Sequence, residues 1–229
     1  FFAKIRKVIG FIMPRFFIDQ QPEDGVLTLT GENAHHAGRV LRLRPGEAVT
    51  LCDGAGTDFD CTIETVEKDA VVCRVLTSHA AETEPKQSIT LFMALPKGDK
   101  MEFIVQKAVE FGACAIVPFL SERCVSRPDE KTVEKKLARW QRIALEAAKQ
   151  CGRGIIPEVR RPLTYARMLD EASSASLPLF CYEGDGTSSL RAVLSAADGG
   201  AVQSVSLVIG SEGGFSGGEA AAAAARGFR

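Results

Sequence analysis

Hydrophobic and polar positions change their period close to residue 88, and the change divides the chain. Before it, apolar residues fall in short runs rich in β-formers at 15–18, 26–30, 48–53, 58–66 and 71–76, separated by Gly, Asp and Pro. Strands this short and frequent predict a small β-barrel. One helical segment interrupts them at 31–43, with Ala34, Ala37, Val40 and Leu41 on one face and His35, His36, Arg39, Arg42 and Arg44 off it. A polar stretch at 78–88 reads as a linker. After it the runs lengthen and alternate in type. Residues 89–95 form an apolar strand; Asp99 and Glu102 have capping-box spacing; Met101, Ile104, Val105, Ala108 and Val109 line a helix that Gly112 ends. A strand at 113–119 follows, then a long helix at 131–151 with Val133, Leu137, Trp140, Ala144, Ala147 and Cys151 in one stripe, which makes Trp140 a core residue. A strand at 177–182, a helix at 188–197 and a strand at 205–210 complete the pattern. Strands alternating with helices predict an α/β fold with a mostly parallel, doubly covered sheet.

The last strand breaks abruptly into glycines. In SVSLVIGSEGGFSGGE, residues 204–219, an apolar run becomes a loop from Gly210 to Gly218, and a helix is expected from Glu219. Open α/β sheets bind ligands at such strand–loop–helix edges. Gly210, Gly213 and Gly214 let the backbone approach a ligand and leave N–H groups to meet an acceptor. An ordinary glycine-rich turn is the competing reading of the same residues.

Composition narrows the classes. The 229 residues are 45% hydrophobic and 25% charged, a globular balance with room for two domains. The net charge is −1, but it is segregated: residues 131–161 hold nine bases against three acids, and residues 47–96 nine acids against three bases. A polyanion can be gripped locally by such a chain. The seven cysteines (52, 61, 73, 114, 124, 151, 181) show no C-x-x-C spacing, which favours reduced thiols, a cytosolic protein and no zinc site. No apolar run is long enough to span a membrane. Residues 1–12, which precede Met13, make a poor signal peptide and read as an upstream extension. There is no G-x-S-x-G, H-E-x-x-H or Walker motif, and the only histidines, 35, 36 and 79, all precede the α/β region.

Several segments together resemble one known family. KGDKMEFIVQKAVEFGA (97–113), SERCV (121–125), RWQRIALEAAKQCGR (139–153), IPEV (156–159) and VIGSEGGFS (208–216) are similar to the motif series of the bacterial ribosomal RNA uridine-N3 methyltransferases of the SPOUT superfamily. HAGRVLRL (36–43) resembles the same family's PUA-like N-terminal barrel. The resemblance implies a PUA-like RNA-binding β-barrel at 13–77, a linker at 78–88 and a trefoil-knotted SPOUT methyltransferase domain at 89–229. It implies S-adenosylmethionine as cofactor, no metal, a cytoplasmic homodimer, and the 16S rRNA of the small ribosomal subunit as partner.

Site roles follow from the same resemblance. Ile209, Gly210, Ser211, Glu212, Gly213 and Gly214 map onto the cofactor loop, flanked by Phe180, Cys181, Tyr182 and Glu183. N3 of uracil carries a proton that must leave before methyl transfer, so Arg123, Gln150 and Arg153 are the candidates for holding the uridine and stabilising the resulting anion. Glu122 and Glu102 are candidate bases, with solvent hydroxide as the alternative. His36, Arg39, Arg42, Lys97, Lys100 and Lys149 are candidate RNA contacts, and Lys107 a further phosphate contact. Two departures stand out: Ser211 occupies the family's usual proline position, and the sequence stops at Arg229 where the family continues with a segment resembling LGxRxLRxETA. A shortened domain that has lost its cofactor predicts the alternative, a non-catalytic RNA-binding protein.

Overall fold

The computed structural model describes residues 13–184, 186–197 and 199–229. The extension expected at 1–12 lies outside them. The described residues divide into two units, one reaching from 13 to 84 with 152–155, the other comprising those of 85–151 and 156–229.

The first unit is built on β1 (Arg15–Phe17), β2 (Val26–Thr30), β3 (Ala48–Cys52), β4 (Thr57–Val66) and β5 (Ala70–Ala80), in the order β1-β3-β4-β5-β2. Only β1 and β3 run parallel. Alternation sends Leu27, Leu29, Val49, Leu51, Ile63 and Val71 into one core. Register shifts at Asp60/Cys61 and Ile63/Thr65 mark irregularities in the long β4–β5 pair, the kind that bends a sheet. Among the described residues no ladder joins β1 to β2; the Gln20 amide reaches the Thr28 carbonyl, and Asn33 Nδ2 donates to the Phe17 carbonyl at 2.7 Å. Closure at that edge is made by side chains. Strand β5 continues through Ser78, His79 and Ala80, residues expected in the linker.

The helix expected at 31–43 is shorter and irregular. An α-helical turn, α1 (Gly31–His35), passes into a π-helical turn (His36–Val40), closed by the Leu41 N–H on the His36 carbonyl at 2.9 Å. One extra residue per turn rotates everything after it by about 100°. Ala34 and Ala37 are buried as expected, but Val40 and Leu41 are not. Arg42 then takes φ 55°, a left-handed conformation that costs a non-glycine residue about 1–2 kcal/mol, and Leu43 packs back on the core.

In the second unit β6 (Ser88–Ala94), β7 (Ala115–Leu120), β8 (Glu158–Val159), β9 (Leu163–Thr164), β10 (Leu177–Cys181) and β11 (Ser204–Ile209) form a wholly parallel sheet. The order is β10-β11-β6-β7-β8, with β9 also beside β7. Its connections are α2 (Lys100–Glu110), α3 (Glu130–Cys151), α4 (Tyr165–Ala172) and α5 (Leu190–Ala196), and α6 (Gly217–Ala224) follows β11. The sequence reading expects no element at 158–172, where β8, β9 and α4 form. Phe92, Met93, Ile116, Val117, Phe119, Leu177 and Val208 are buried, and Trp140 is buried on α3. Strand β11 is less deeply buried than expected: Ser206 and Val208 are inside, Val205, Leu207 and Ile209 only half so.

Two helix starts differ from expectation. Asp99 makes no side-chain cap, because its carbonyl takes the Glu102 N–H at 3.0 Å while the Glu102 carboxylate pairs with Arg139 at 2.7 Å. The capping box lies instead at Ser216 and Glu219, so α6 begins two residues before Glu219. After α6 the chain returns to β10: the Arg229 N–H donates to the Pro178 carbonyl at 3.0 Å and its carbonyl accepts from Phe180 N–H at 2.8 Å.

Candidate functional site

Strand order reverses at β6, which has β7 on one side and β11 on the other, and the carboxyl ends of β10 and β11 open into a cleft of about 1090 Å³. Phe180 to Glu183 leave β10 along one side of it, and Ile209 to Gly214 leave β11 along another. Arg123, from the loop after β7, completes the rim. All ten residues expected at a cofactor site therefore line one cavity. Sequence reasoning missed Phe215, Leu190, Val193 and Phe228 in the lining. Phe215, which is buried, had a signal in its place two residues beyond Gly213, inside the glycine run.

The glycine loop is tight. The Gly214 N–H closes on the Ser211 carbonyl at 2.8 Å, and Gly214 has φ 63°. A Cβ on Gly210 would stand 3.0 Å from Gly214 Cα and 3.2 Å from the Phe215 ring. Phe215 lies parallel to Phe119 at 6.2 Å and 4.2 Å from Phe180, an aromatic floor that holds the turn from below. Ser211 Oγ is buried with no hydrogen-bond partner, an unmet polar group in a loop that lines an open cleft.

Three ties fix this loop. Arg123 Nη1 donates to the Gly213 carbonyl at 3.0 Å. Glu219, buried at the start of α6, accepts from the Ser216 N–H at 3.0 Å and, through its other oxygen, from the Glu122 N–H at 2.8 Å; the Tyr165 hydroxyl donates to its carbonyl at 2.7 Å. One carboxylate thus joins the loop after β7 to the loop after β11. The Glu212 carboxylate accepts from Lys100 Nζ at 2.7 Å and from the Lys97 N–H at 3.2 Å. The Lys100 ammonium, with the nearby amides, pulls the Glu212 carboxyl down to about 2. That tie is complete above the ordinary carboxylate range and is lost only as pH falls toward 2.

The remaining expected site residues are scattered. Gln150 is exposed near the end of α3 and is absent from the lining of the cleft. Arg153 needs correction: it belongs to the first unit, where its guanidinium is buried and grips Glu84 through Nε at 3.0 Å and Nη2 at 2.6 Å. A cation so committed holds its own fold together. Glu102 is tied to Arg139, and the Glu122 side chain is exposed beside Arg123 in sequence. Lys97 meets Glu212 through its backbone, Lys100 pairs with Glu212, Lys149 with Glu146 at 3.0 Å and Lys107 with Glu110 at 2.7 Å. His36 sits edge-on to Phe16 at 5.8 Å, and it, Arg39 and Arg42 are exposed in the first unit. Among the described residues no helix is long and apolar enough to cross a membrane, and no group of three or more His, Cys, Asp or Glu is placed to hold a metal.

Comparison with known proteins agrees with this architecture. The family described as an RNA methyltransferase domain matches residues 83–229, and the one described as an RNA methyltransferase PUA domain matches residues 29–76. Ribosomal RNA small subunit methyltransferase E of Bacillus subtilis is 34% identical over 211 residues, 89% of this chain and 82% of its own length. A methyltransferase from Legionella pneumophila, solved with bound cofactor SAM, superposes with a TM-score of 0.76 at 32% identity, covering 95% of this chain and 88% of its own. The ribosomal RNA small subunit methyltransferase E of Neisseria gonorrhoeae, solved with S-adenosyl methionine, gives a TM-score of 0.76 at 30% identity, covering 95% and 87%. With relatives this similar spanning nearly the whole chain, and a methyltransferase-domain match over more than half of it, the protein belongs to the ribosomal RNA small subunit methyltransferase E family, with an α/β methyltransferase domain of SPOUT type joined to a PUA-like domain.

Proposed function

We propose that this chain is an S-adenosylmethionine-dependent methyltransferase that methylates N3 of a uridine in 16S ribosomal RNA. The observation that carries the reading is the single cleft lined by Phe180, Cys181, Tyr182, Glu183 and residues 209–214, in a fold whose relatives were solved with this cofactor. The lining suits an adenosine and a charged sulfonium: an aromatic floor, a glycine turn too close for side chains at Gly210, an unmet hydroxyl at Ser211 and the carboxylate of Glu183. When bound, the cofactor supplies an electrophilic methyl group.

The chain's own residues hold and prepare. Residues 209–214 and 180–183 bind the cofactor. Arg123, which lines the cleft and fixes the glycine loop through the Gly213 carbonyl, is the cation assigned to stabilise charge on the deprotonated uracil. Glu122 is the better-placed of the two candidate bases, since Glu102 is committed to Arg139. The same reading takes residues 13–77 as the RNA-binding PUA-like barrel and 89–229 as the methyltransferase domain, with the trefoil threading of the superfamily, a cytoplasmic location and a homodimer. The return of Arg229 to β10 supports the threading.

Incubating the chain with S-adenosylmethionine and 16S RNA, then reading the nucleosides by mass spectrometry, is expected to yield N3-methyluridine. No product together with no saturable cofactor binding would return the non-catalytic RNA-binding alternative. Arg123→Ala is expected to weaken cofactor binding about fivefold by calorimetry, the loss of one exposed charge-assisted hydrogen bond. It should lower kcat further, and Arg123→Lys should recover only part of either, because an ammonium lacks the planar fork.

A further inference from the structure

The π-helical turn of the first unit leaves an apolar ridge in solvent. Val40 is 60% exposed and Leu41 42%, whereas Ala34 and Ala37, on the same face by ordinary helical spacing, are buried. The extra residue in the turn swings the pair outward, and the left-handed Arg42 keeps it there by letting only Leu43 return to the core. Turns of this kind and strained non-glycine residues concentrate at functional surfaces.

Basic and imidazole side chains flank the ridge in sequence. His35, His36, Arg39, Arg42 and Arg44 are all exposed, and among the described residues none of the three arginines is in an ion pair. The nearest carboxylates in sequence lie outside the run: Glu32 precedes it, and Glu47 accepts the backbone N–H of Arg44 at 2.9 Å. An exposed apolar pair with Arg39 before it and Arg42 and Arg44 after it in the chain complements a polyanion that also offers an apolar face.

Resting on the reading that the substrate is RNA, we propose that this ridge docks an unpaired RNA strand, with Arg39, Arg42 and Arg44 on backbone phosphates and one unstacked base against Val40 and Leu41. A duplex does not satisfy the ridge. Its base faces are stacked inside, and it presents only phosphates, sugars and edges to a protein. In a single strand the base face is free, and apolar contact with it adds to the phosphate contacts without releasing counterions.

Fluorescence anisotropy with the full chain separates these contributions, using a labelled single-stranded RNA oligonucleotide and the same oligonucleotide annealed to its complement over a salt series. Val40→Ser/Leu41→Ser is expected to weaken single-strand binding about tenfold, leaving the salt slope and duplex binding unchanged. Thermal unfolding should match wild type, since both side chains are exposed. Arg39→Gln/Arg42→Gln should weaken both RNAs and reduce the single-strand salt slope by about 1.4, or about 0.7 for each phosphate no longer neutralised. If the apolar double variant binds single strands like wild type, as it would were the ridge a protein-binding surface, or if it weakens duplex equally, the ridge is not a base platform. Wild type binding neither RNA would instead overturn the RNA reading itself.

Discussion

Replacing Glu84 by alanine is expected to lower the unfolding free energy by about 3–5 kcal/mol, read as a fall in the urea midpoint. Glu84 lies at the end of the first unit in sequence, and it takes most of the side-chain hydrogen bonds that tie residues 152–155 to that unit. Its carboxylate accepts from Arg153 Nε and Nη2, from the Gly154 N–H at 2.7 Å and from the Ile155 N–H at 3.1 Å, with side chains only 15% and 5% exposed for Glu84 and Arg153. The segment it anchors is packed without slack. A Cβ on Gly154 would come 2.1 Å from Ala81 Cβ, the Gly154 carbonyl accepts from Gly56 N–H at 3.1 Å, and Ile155 bridges Ala55. Alanine at 84 strips this carboxylate from a buried guanidinium and from two amides at once. Glu84→Gln should cost about 1–3 kcal/mol less, since one acceptor oxygen survives. The effect has a pH signature. Burial pushes the Glu84 carboxyl up, but Arg153 and the amides of Gly154 and Ile155 outweigh it and hold the carboxyl below its ordinary value. A depressed carboxyl contributes stability that is complete above about pH 4.3 and lost as pH falls through the depressed value. The gap between wild type and Glu84→Ala should therefore be constant from neutrality to about pH 4.5 and narrow below it. A gap unchanged down to pH 3 would show that Glu84 does not act through its charge.

Arg153 also marks the boundary of what the sequence discloses. Its charge and its place in a basic run are visible there, but its partner lies 69 residues away, and no local pattern encodes that pairing. The cofactor residues are legible for the opposite reason: two short contiguous segments carry them, and parallel β10 and β11 bring those segments together by register, Cys181 beside Ile209. Strands β6 and β7 and helices α2 and α3 are legible because long apolar stripes leave one period that fits. Strands β8 and β9 have two residues each, too few for any alternation to register. Helix α4 has a readable signal, Thr164 as N-cap accepting from Arg167 N–H and Met168, Leu169 and Ala172 turned inward. Val40 and Leu41 fall on the wrong face when a 3.6-residue period is carried through a turn that does not keep it. The two Ser/Asp-x-x-Glu sequences show how a signature depends on its surroundings: at 99–102 the glutamate is drawn away by Arg139, while at 216–219 no ion pair among the described residues draws Glu219 away and the box forms.

That second box underlies the largest functional effect expected. Glu219→Ala should weaken S-adenosylmethionine binding at least 30-fold by calorimetry, although in the proposed site Glu219 acts only through the loops it holds. The buried carboxylate is shared between two walls of the cleft, one oxygen on the Glu122 N–H and the other on the Ser216 N–H. Each is a hydrogen bond to a charged acceptor, worth about 1.5–3 kcal/mol, and alanine removes both. The loop carrying Arg123 is then free to move away from the glycine turn, and the Arg123 hydrogen bond to Gly213 loses its fixed geometry. Ser216→Ala is the control. It deletes only the hydroxyl that accepts the Glu219 N–H at 3.3 Å, so it should cost about 1 kcal/mol of stability while leaving the carboxylate bridge and cofactor affinity within about threefold of wild type. Glu219→Gln should fall between, because an amide offers one acceptor and turns a donor toward the second N–H. If Glu219→Ala binds cofactor as Ser216→Ala does, the two walls are positioned by packing alone, by Phe119, Phe180 and Phe215 beneath them, and the carboxylate serves α6 but not the site.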